Sequence, residues 1–308
     1  MYEALEQMGL DKGNVLEPSC GVGNFIGLMP EKLSGVKMYG VELDSVSGRI
    51  AKLLYPEATI TVNGFEKTEF PDGFFDVAVG NVPFGGYKLA DRRYDRQNFF
   101  VHDYFIAKAI DKVRPGGVIA FITSNGISGG TMDKQDRKAR EYIAQRCDLL
   151  GAVRLPNNAF RANAGTKINA DILFLQKLEA PRILEKELPE WVQTDRIFDQ
   201  DYTNDKGEIN HNFITVNRYF QEHPEMVLGE QEIVSGPYGP QLVCKPLEGA
   251  DLGEQLKEAL SHIRGTIVPL ELEDSDLEET EPSIPADPAV KNFSFANVDL
   301  SLIHISEP

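Results

Sequence analysis

The chain has 308 residues, 42% hydrophobic and 26% charged, with a formal net charge of -17, a composition that suits a globular protein with one good core and at most a second small one. No run of about 18 apolar residues could span a bilayer and no signal peptide opens the chain, so no membrane partner and a cytoplasmic setting are expected. Cys20, Cys147 and Cys244 are odd in number and lack metal-ligand spacing, which argues against a disulfide framework or a metal site and fits a reducing compartment.

The charge is unevenly placed. Residues 1–180 carry 22 basic and 22 acidic side chains, whereas residues 181–308 carry 9 and 26. The first part is neutral, so the overall acidity says little about its partners.

Strand and helix patterns alternate to about residue 180, predicting a parallel sheet with crossover helices. A first strand covers 14–19 and a helix follows from about 23 to 33. A second strand, 36–43, ends near Glu42. The next helix starts at Asp44-Ser45 and carries Ile50, Leu53 and Leu54 on one face. Short strands follow at 58–62 and 74–80, then an amphipathic helix at 101–113, which Arg114-Pro115-Gly116-Gly117 stops. A strand at 118–123, a charged helix at 133–147, and strands at 149–155 and 170–176 complete the pattern. The whole reads as an α/β fold with a doubly wound, seven-stranded, mostly parallel sheet, its last two strands antiparallel. Residues 181–268 read as a small appended domain or a wrap, with a helix from Leu252 to Ile263. Residues 269–290 read as an acidic disordered linker. Residues 291–308 read as the truncated start of a further region with a non-native tail.

The chemistry concentrates at strand ends. Leu16-Glu17-Pro18-Ser19-Cys20-Gly21-Val22-Gly23-Asn24-Phe25 is a strand running into a glycine turn, which lets backbone pass close beneath a ligand. Glu17 can accept from a ligand ammonium, Glu42 from both hydroxyls of a ribose, and Phe65 with Glu66 can sandwich and read an adenine. A dinucleotide fits less well: the turn lacks G-x-G-x-x-G, and Glu17 would repel a pyrophosphate. S-adenosyl-L-methionine, with an ammonium and no phosphate, suits the carboxylate better.

Asn81-Val82-Pro83-Phe84 closes the fourth strand. With the glycine turn, Tyr39-Gly40-Val41-Glu42-Leu43-Asp44 and His102-Asp103-Tyr104-Phe105, it resembles the class I S-adenosylmethionine-dependent DNA adenine-N6 methyltransferases. More closely, the chain resembles the methylase portion of methylase–helicase proteins of mobile elements and phages. The resemblance implies a Rossmann-like methyltransferase domain over 1–180. It implies a cofactor site of Glu17, Pro18, Ser19, Cys20, Gly21, Gly23, Asn24, Phe25, Glu42, Leu43, Phe65, Glu66 and Asn81, and catalysis by Asn81, Val82, Pro83 and Phe84. The substrate is expected to be duplex DNA with the target adenine flipped out, and a fused or associated helicase region is expected as a partner. Phe84 and Phe160 are the expected stacking aromatics, with Lys88, Arg92, Arg93 and Lys167 beside them. The Lys134–Arg146 run could add phosphate contacts or be a solvated helix face.

Two departures from the family pattern carry expectations. Val82 stands where proline is usual, which should keep the carbonyl and loosen the loop. The family also contributes a cofactor-contacting segment from farther upstream than Tyr2. The same tetrapeptide chemistry suits RNA or protein-glutamine N-methylation, and a catalytically weak nucleic-acid-binding module is the remaining alternative.

Overall fold

The computed structural model describes residues 1–124, 130–160, 169–203, 209–236, 239–267, 295–298 and 301–304. Two compact units divide the chain, Met1–Pro269 and Leu270–Pro308.

In the first unit β1 (Lys12–Glu17), β2 (Gly35–Glu42), β3 (Thr59–Val62), β4 (Phe75–Asn81), β5 (Val113–Ser124), β6 (Cys147–Leu155) and β7 (Ala170–Lys177) form one sheet in the order β3-β2-β1-β4-β5-β7-β6. The pairs from β3 through β5 are parallel, and β7 runs antiparallel to both β5 and β6. The seven-stranded, mostly parallel reading therefore holds, including its antiparallel last pair. Strands buried on both faces read as continuous apolar runs: Val77, Ala78 and Val79 of β4 and Val118 to Phe121 of β5 are fully buried.

The helices differ more from expectation. A helix α1 (Tyr2–Gln7) opens the chain, and the span 23–33 holds only short pieces: α2 covers Asn24–Gly27, and a single 3-10 turn covers Glu31–Leu33 after Pro30. Proline lacks the N–H needed to continue α2. The amphipathic helix α4 (Val101–Lys112) ends one residue early. The charged helix shrinks to α5 (Lys138–Ala144), because Asp133 accepts from Asn217 N–H and pairs with Arg154, while Asp136 accepts the Lys138 N–H.

In α3 (Ser45–Leu54), capped by Asp44 through the Ser47 N–H, the apolar stripe faces outward. Leu53 is 83% exposed, and Ile50 and Leu54 are also exposed. The helix instead packs through Gly48 and Ala51. A Cβ on Gly48 would lie 2.7 Å from Val62 Cγ2, so the small residue permits an approach to β3 that a larger one would block.

Residues 181–267 pack into the same hydrophobic core as the sheet through Trp191, Val192, Tyr219, Phe220, Met226, Leu260 and Ile263. They form two antiparallel hairpins, β8 (Thr194–Thr203) with β9 (Ile209–Asn217) and β10 (Glu230–Gly236) with β11 (Gly239–Lys245). Two short helices, α6 (Arg218–Glu222) and α7 (Leu252–Ser261), complete this region. In the second unit, β12 (Phe295–Val298) pairs antiparallel with β13 (Ser301–His304). No helix among the described residues is long and apolar enough to cross a membrane.

Candidate active site

β1 and β4 are parallel neighbours, so Glu17 and Asn81 leave the sheet at the same carboxyl edge. Open α/β sheets bind ligands outside this edge, where the strand order reverses. Ser19 ties the two ends together: its hydroxyl donates to the Asn81 carbonyl at 2.9 Å. The glycine turn and the tetrapeptide are thereby one structure, although 62 residues separate the bonded pair.

Gly21 and Gly23 both take left-handed conformations, with φ of 56° and 90°. A Cβ on Gly23 would meet the Tyr55 ring at 2.5 Å, whereas beside Gly21 nothing lies within 4 Å. Gly23 is thus required by packing, and Gly21 leaves open space above the turn. Glu42 braces that turn from β2. One carboxylate oxygen accepts the Gly21 N–H at 2.8 Å and the other the Asp44 N–H at 2.7 Å. Each oxygen keeps a further lone pair for a ligand hydroxyl. Leu43, next in line, is 74% exposed and offers an apolar surface at the same edge.

Glu17 is buried, and its Oε2 has no hydrogen-bond partner. Burial and then the charge of Glu42 raise its pKa to about 8. A buried acceptor without a donor is costly, and a ligand ammonium would satisfy it. Cys20 is buried, and its thiol is pushed up to about 12 by burial and then by the charges of Glu17 and Glu42. It stays a neutral packing group, and its N–H donates to Val41 O. Pro18 is buried beside it, and Asn24 is exposed at the start of α2. Phe25 is half-buried, held by Tyr2, whose hydroxyl donates to the Phe25 carbonyl and whose ring packs edge-on. Tyr2 was invisible to motif reading, since only the fold brings α1 to this turn.

In the tetrapeptide, Asn81 is exposed, Pro83 half-buried and Phe84 41% exposed. Val82 corrects the expectation of a looser loop. Its side chain is buried in the core, and its N–H donates to Ile122 O at 3.1 Å. Proline could not make that bond, so valine extends the β4–β5 ladder by one rung and fastens the segment.

Phe65 is a second correction. The residue is 2% exposed and its ring packs against Phe105 and Tyr104, with the Lys108 ammonium 5.1 Å from its centroid. A ring so enclosed has no face for an adenine. Glu66 is half-buried and accessible at the end of β3.

Among the expected substrate contacts, Phe160 is half-buried against the core, and Lys167 lies outside the described residues. Arg93 forms ion pairs with Asp72 and Asp111, so its charge is balanced within the chain. Arg92 is exposed, and Lys88 donates to Asn98 Oδ1 at 2.7 Å. His102 is buried with neither ring nitrogen hydrogen-bonded; Nε2 lies 3.5 Å from Asp103 Oδ2, and burial outweighs that carboxylate and lowers the pKa. Among the described residues no cluster of His, Cys, Asp or Glu could hold a metal.

A sheet of this order, with a glycine turn after β1, a carboxylate closing β2 and Asn-Val-Pro-Phe closing β4, defines a Rossmann-like methyltransferase domain. The chain belongs to the N-6 DNA methylase family, whose model matches residues 5–212. It is 36% identical over 182 residues to the defense against restriction protein B of Escherichia phage P1, over 58% of this chain and 8% of that protein. It is 31% identical over 131 residues to the modification methylase CviBIII of Paramecium bursaria Chlorella virus NC1A, over 41% of this chain and 34% of that one. The chain thus spans a small part of the first relative and about a third of the second. The type I restriction enzyme EcoKI M protein superposes with a TM-score of 0.44 at 17% identity, covering 57% of this chain and 42% of that one. Family membership implies S-adenosyl-L-methionine as the cofactor. The residues present fit it: the orphaned Glu17 oxygen, the open space at Gly21 and the braced Glu42 carboxylate each offer what an ammonium-bearing nucleoside needs.

Proposed function

We propose that this chain methylates the N6 amine of adenine in DNA, acting on a base swung out of the duplex. The Ser19–Asn81 bond carries the reading, because it joins the cofactor turn to the tetrapeptide that would hold the amine. When bound, the cofactor would supply a methyl group on a sulfonium, whose S–CH3 bond breaks as N–CH3 forms; the sulfur leaves as a neutral thioether and the alkylated nitrogen loses one proton to solvent, so no strong base is needed.

The chain's own residues then position the nitrogen. An exocyclic amine is a poor nucleophile because its lone pair is delocalised into the ring. The Asn81 side-chain carbonyl and the Val82 main-chain carbonyl each accept one N–H, which draws the nitrogen toward tetrahedral geometry and turns its lone pair to the methyl group. Phe84 stacks on the base from its exposed face, with Phe160 as the second aromatic. The catalytic contribution is positioning and electrostatics. The buried Val82 supports it by fixing the segment whose carbonyl is used. Glu17 holds the cofactor ammonium and Glu42 its ribose. Helicase association rests on the sequence resemblance alone.

Methyl incorporation from labelled cofactor into unmethylated plasmid, with product nucleosides separated by mass, tests this reading. Label in N6-methyladenine that disappears in Asn81→Ala is expected. Label in RNA or in glutamine side chains instead, or cofactor binding without turnover on any substrate, would overturn it.

A further inference from the structure

The basic residues of two distant segments meet on one aromatic ring. Lys88 follows the tetrapeptide, and Lys134 precedes α5. Their ammonium groups lie 5.5 Å and 4.2 Å from the centroid of Phe100, which is half-buried at the start of α4. The two charges are therefore within about 10 Å of each other. Neither forms an ion pair among the described residues; the buried Asp103, whose field reaches Lys134, accepts from the Thr131 hydroxyl, and other acidic groups nearby are engaged elsewhere. Asp91 accepts from the Tyr104 hydroxyl and the Lys108 ammonium, and Asp95 accepts the Asp91 N–H.

We propose that Lys88 and Lys134, seated on Phe100, form a clamp for the DNA phosphodiester backbone beside the target nucleotide. The inference rests on the DNA reading above. Two cations held near one ring without an ion-pair partner make a local positive field that an anion neutralises. Each ammonium lies within cation–π range of the same ring, which attracts both. The ring also restrains two long side chains that would otherwise lose more freedom on meeting a phosphate.

The surrounding contacts hold the platform in place. Lys88 donates to Asn98, which takes a left-handed conformation with φ of 58°. Lys138 donates to the carbonyls of Arg96 and Gln97, fastening α5 to the same loop. Arg92 and Arg96 are exposed and have no ion-pair partner among the described residues, so they add to the field. A single nucleic-acid strand presents one phosphate per about 3.4 Å of helix axis, so two cations within about 10 Å of each other can both reach phosphates of one strand. Lys88 is four residues beyond Phe84, which places the clamp on the loop that leaves the catalytic segment.

The test measures binding of a labelled DNA duplex at several salt concentrations, for the wild type, the Lys88→Ala/Lys134→Ala double variant and Phe100→Leu. Each released phosphate contact changes the slope of log affinity against log salt by about 0.9. The double variant is expected to lose close to two contacts in that slope and at least about tenfold in affinity at low salt. Its calorimetric cofactor affinity should be unchanged. Phe100→Leu is expected to weaken binding by a smaller factor with the slope kept, since both cations remain. An unchanged slope in the double variant, with wild-type methyl incorporation into DNA intact, overturns the clamp and leaves the DNA reading standing. A wild type that binds RNA and not duplex DNA overturns both.

Discussion

The sheet region and the hairpin region of the first unit are stabilised in different ways. Strands β1 to β7 form one continuous sheet whose central strands are buried along most of their length, and the candidate site sits on its carboxyl edge. The β8–β9 hairpin leaves Ile197, Phe198, Ile209 and Phe213 exposed. This second region joins the sheet through apolar packing and a few buried polar groups. Arg154 of β6 takes part through its carbonyl, which accepts the Leu228 N–H, and through the Phe220 ring, while its guanidinium is held by two carboxylates of the sheet region itself. It makes two hydrogen bonds to Asp171, pairs with Asp133, and lies 4.0 Å over the Phe220 ring. Asn217 is fully buried and donates to the Met132 and Trp191 carbonyls. The difference teaches that a sheet packs by area, whereas an attached segment is located by specific polar contacts.

The sharpest way to break this contrast is Arg154→Ala, which leaves Asp171 and Asp133 buried without their cation. A loss of about 3–5 kcal/mol in urea unfolding is expected. Local exposure of residues 181–267, read by hydrogen exchange, should exceed that of β1–β5. Equal loosening of both regions would show that Arg154 is not the joint.

Asn81→Ala acts on the opposite side of the comparison, at a surface position on the sheet edge. A fall of about 100- to 1,000-fold in methyl transfer is expected, with the unfolding midpoint unchanged. A comparable drop in stability would make Asn81 a structural residue.

Glu17 gives the sheet edge a pH dependence of its own. Its folded pKa of about 8 lies above the ordinary 4.5. The folded chain therefore holds a proton that the unfolded chain releases, and stability without cofactor falls as pH rises from about 4.5 to about 8. Glu17→Gln should flatten that decline in thermal melts. Binding of the cofactor ammonium to ionised Glu17 should tighten as pH rises through the same window and release a proton to the buffer, measurable by calorimetry in buffers of different ionisation enthalpy. Affinity independent of pH would remove Glu17 from the ammonium site.

The smallest effect is expected at Phe198→Ser on the exposed hairpin, within about 0.5 kcal/mol of wild type. A larger loss would mean that the exposed aromatic is covered by packing that the isolated chain conceals.

Much of the site was legible because strand ends carry local signals. The glycine turn, Glu42 and Asn81-Val82-Pro83-Phe84 each close an apolar run, and alternating strand and helix patterns place such closures on one edge. Sequence alone also determined the seven-stranded plan and the antiparallel last pair. Tertiary structure decided what covers what. The apolar stripe of α3 has helical period but faces outward, because Gly48 and Ala51 allow the closer approach to β3. Phe65 follows β3 as expected, yet Phe105 and Tyr104 enclose its ring. Val82 looked like a weakened proline position until Ile122 supplied the acceptor for its N–H. Periodicity reports the local order of apolar and polar groups, whereas burial and long-range hydrogen bonding depend on residues tens of positions away. For that reason the kind of site could be read from the chain, while its bracing by Ser19, Tyr2 and Ile122 emerged only in the folded molecule.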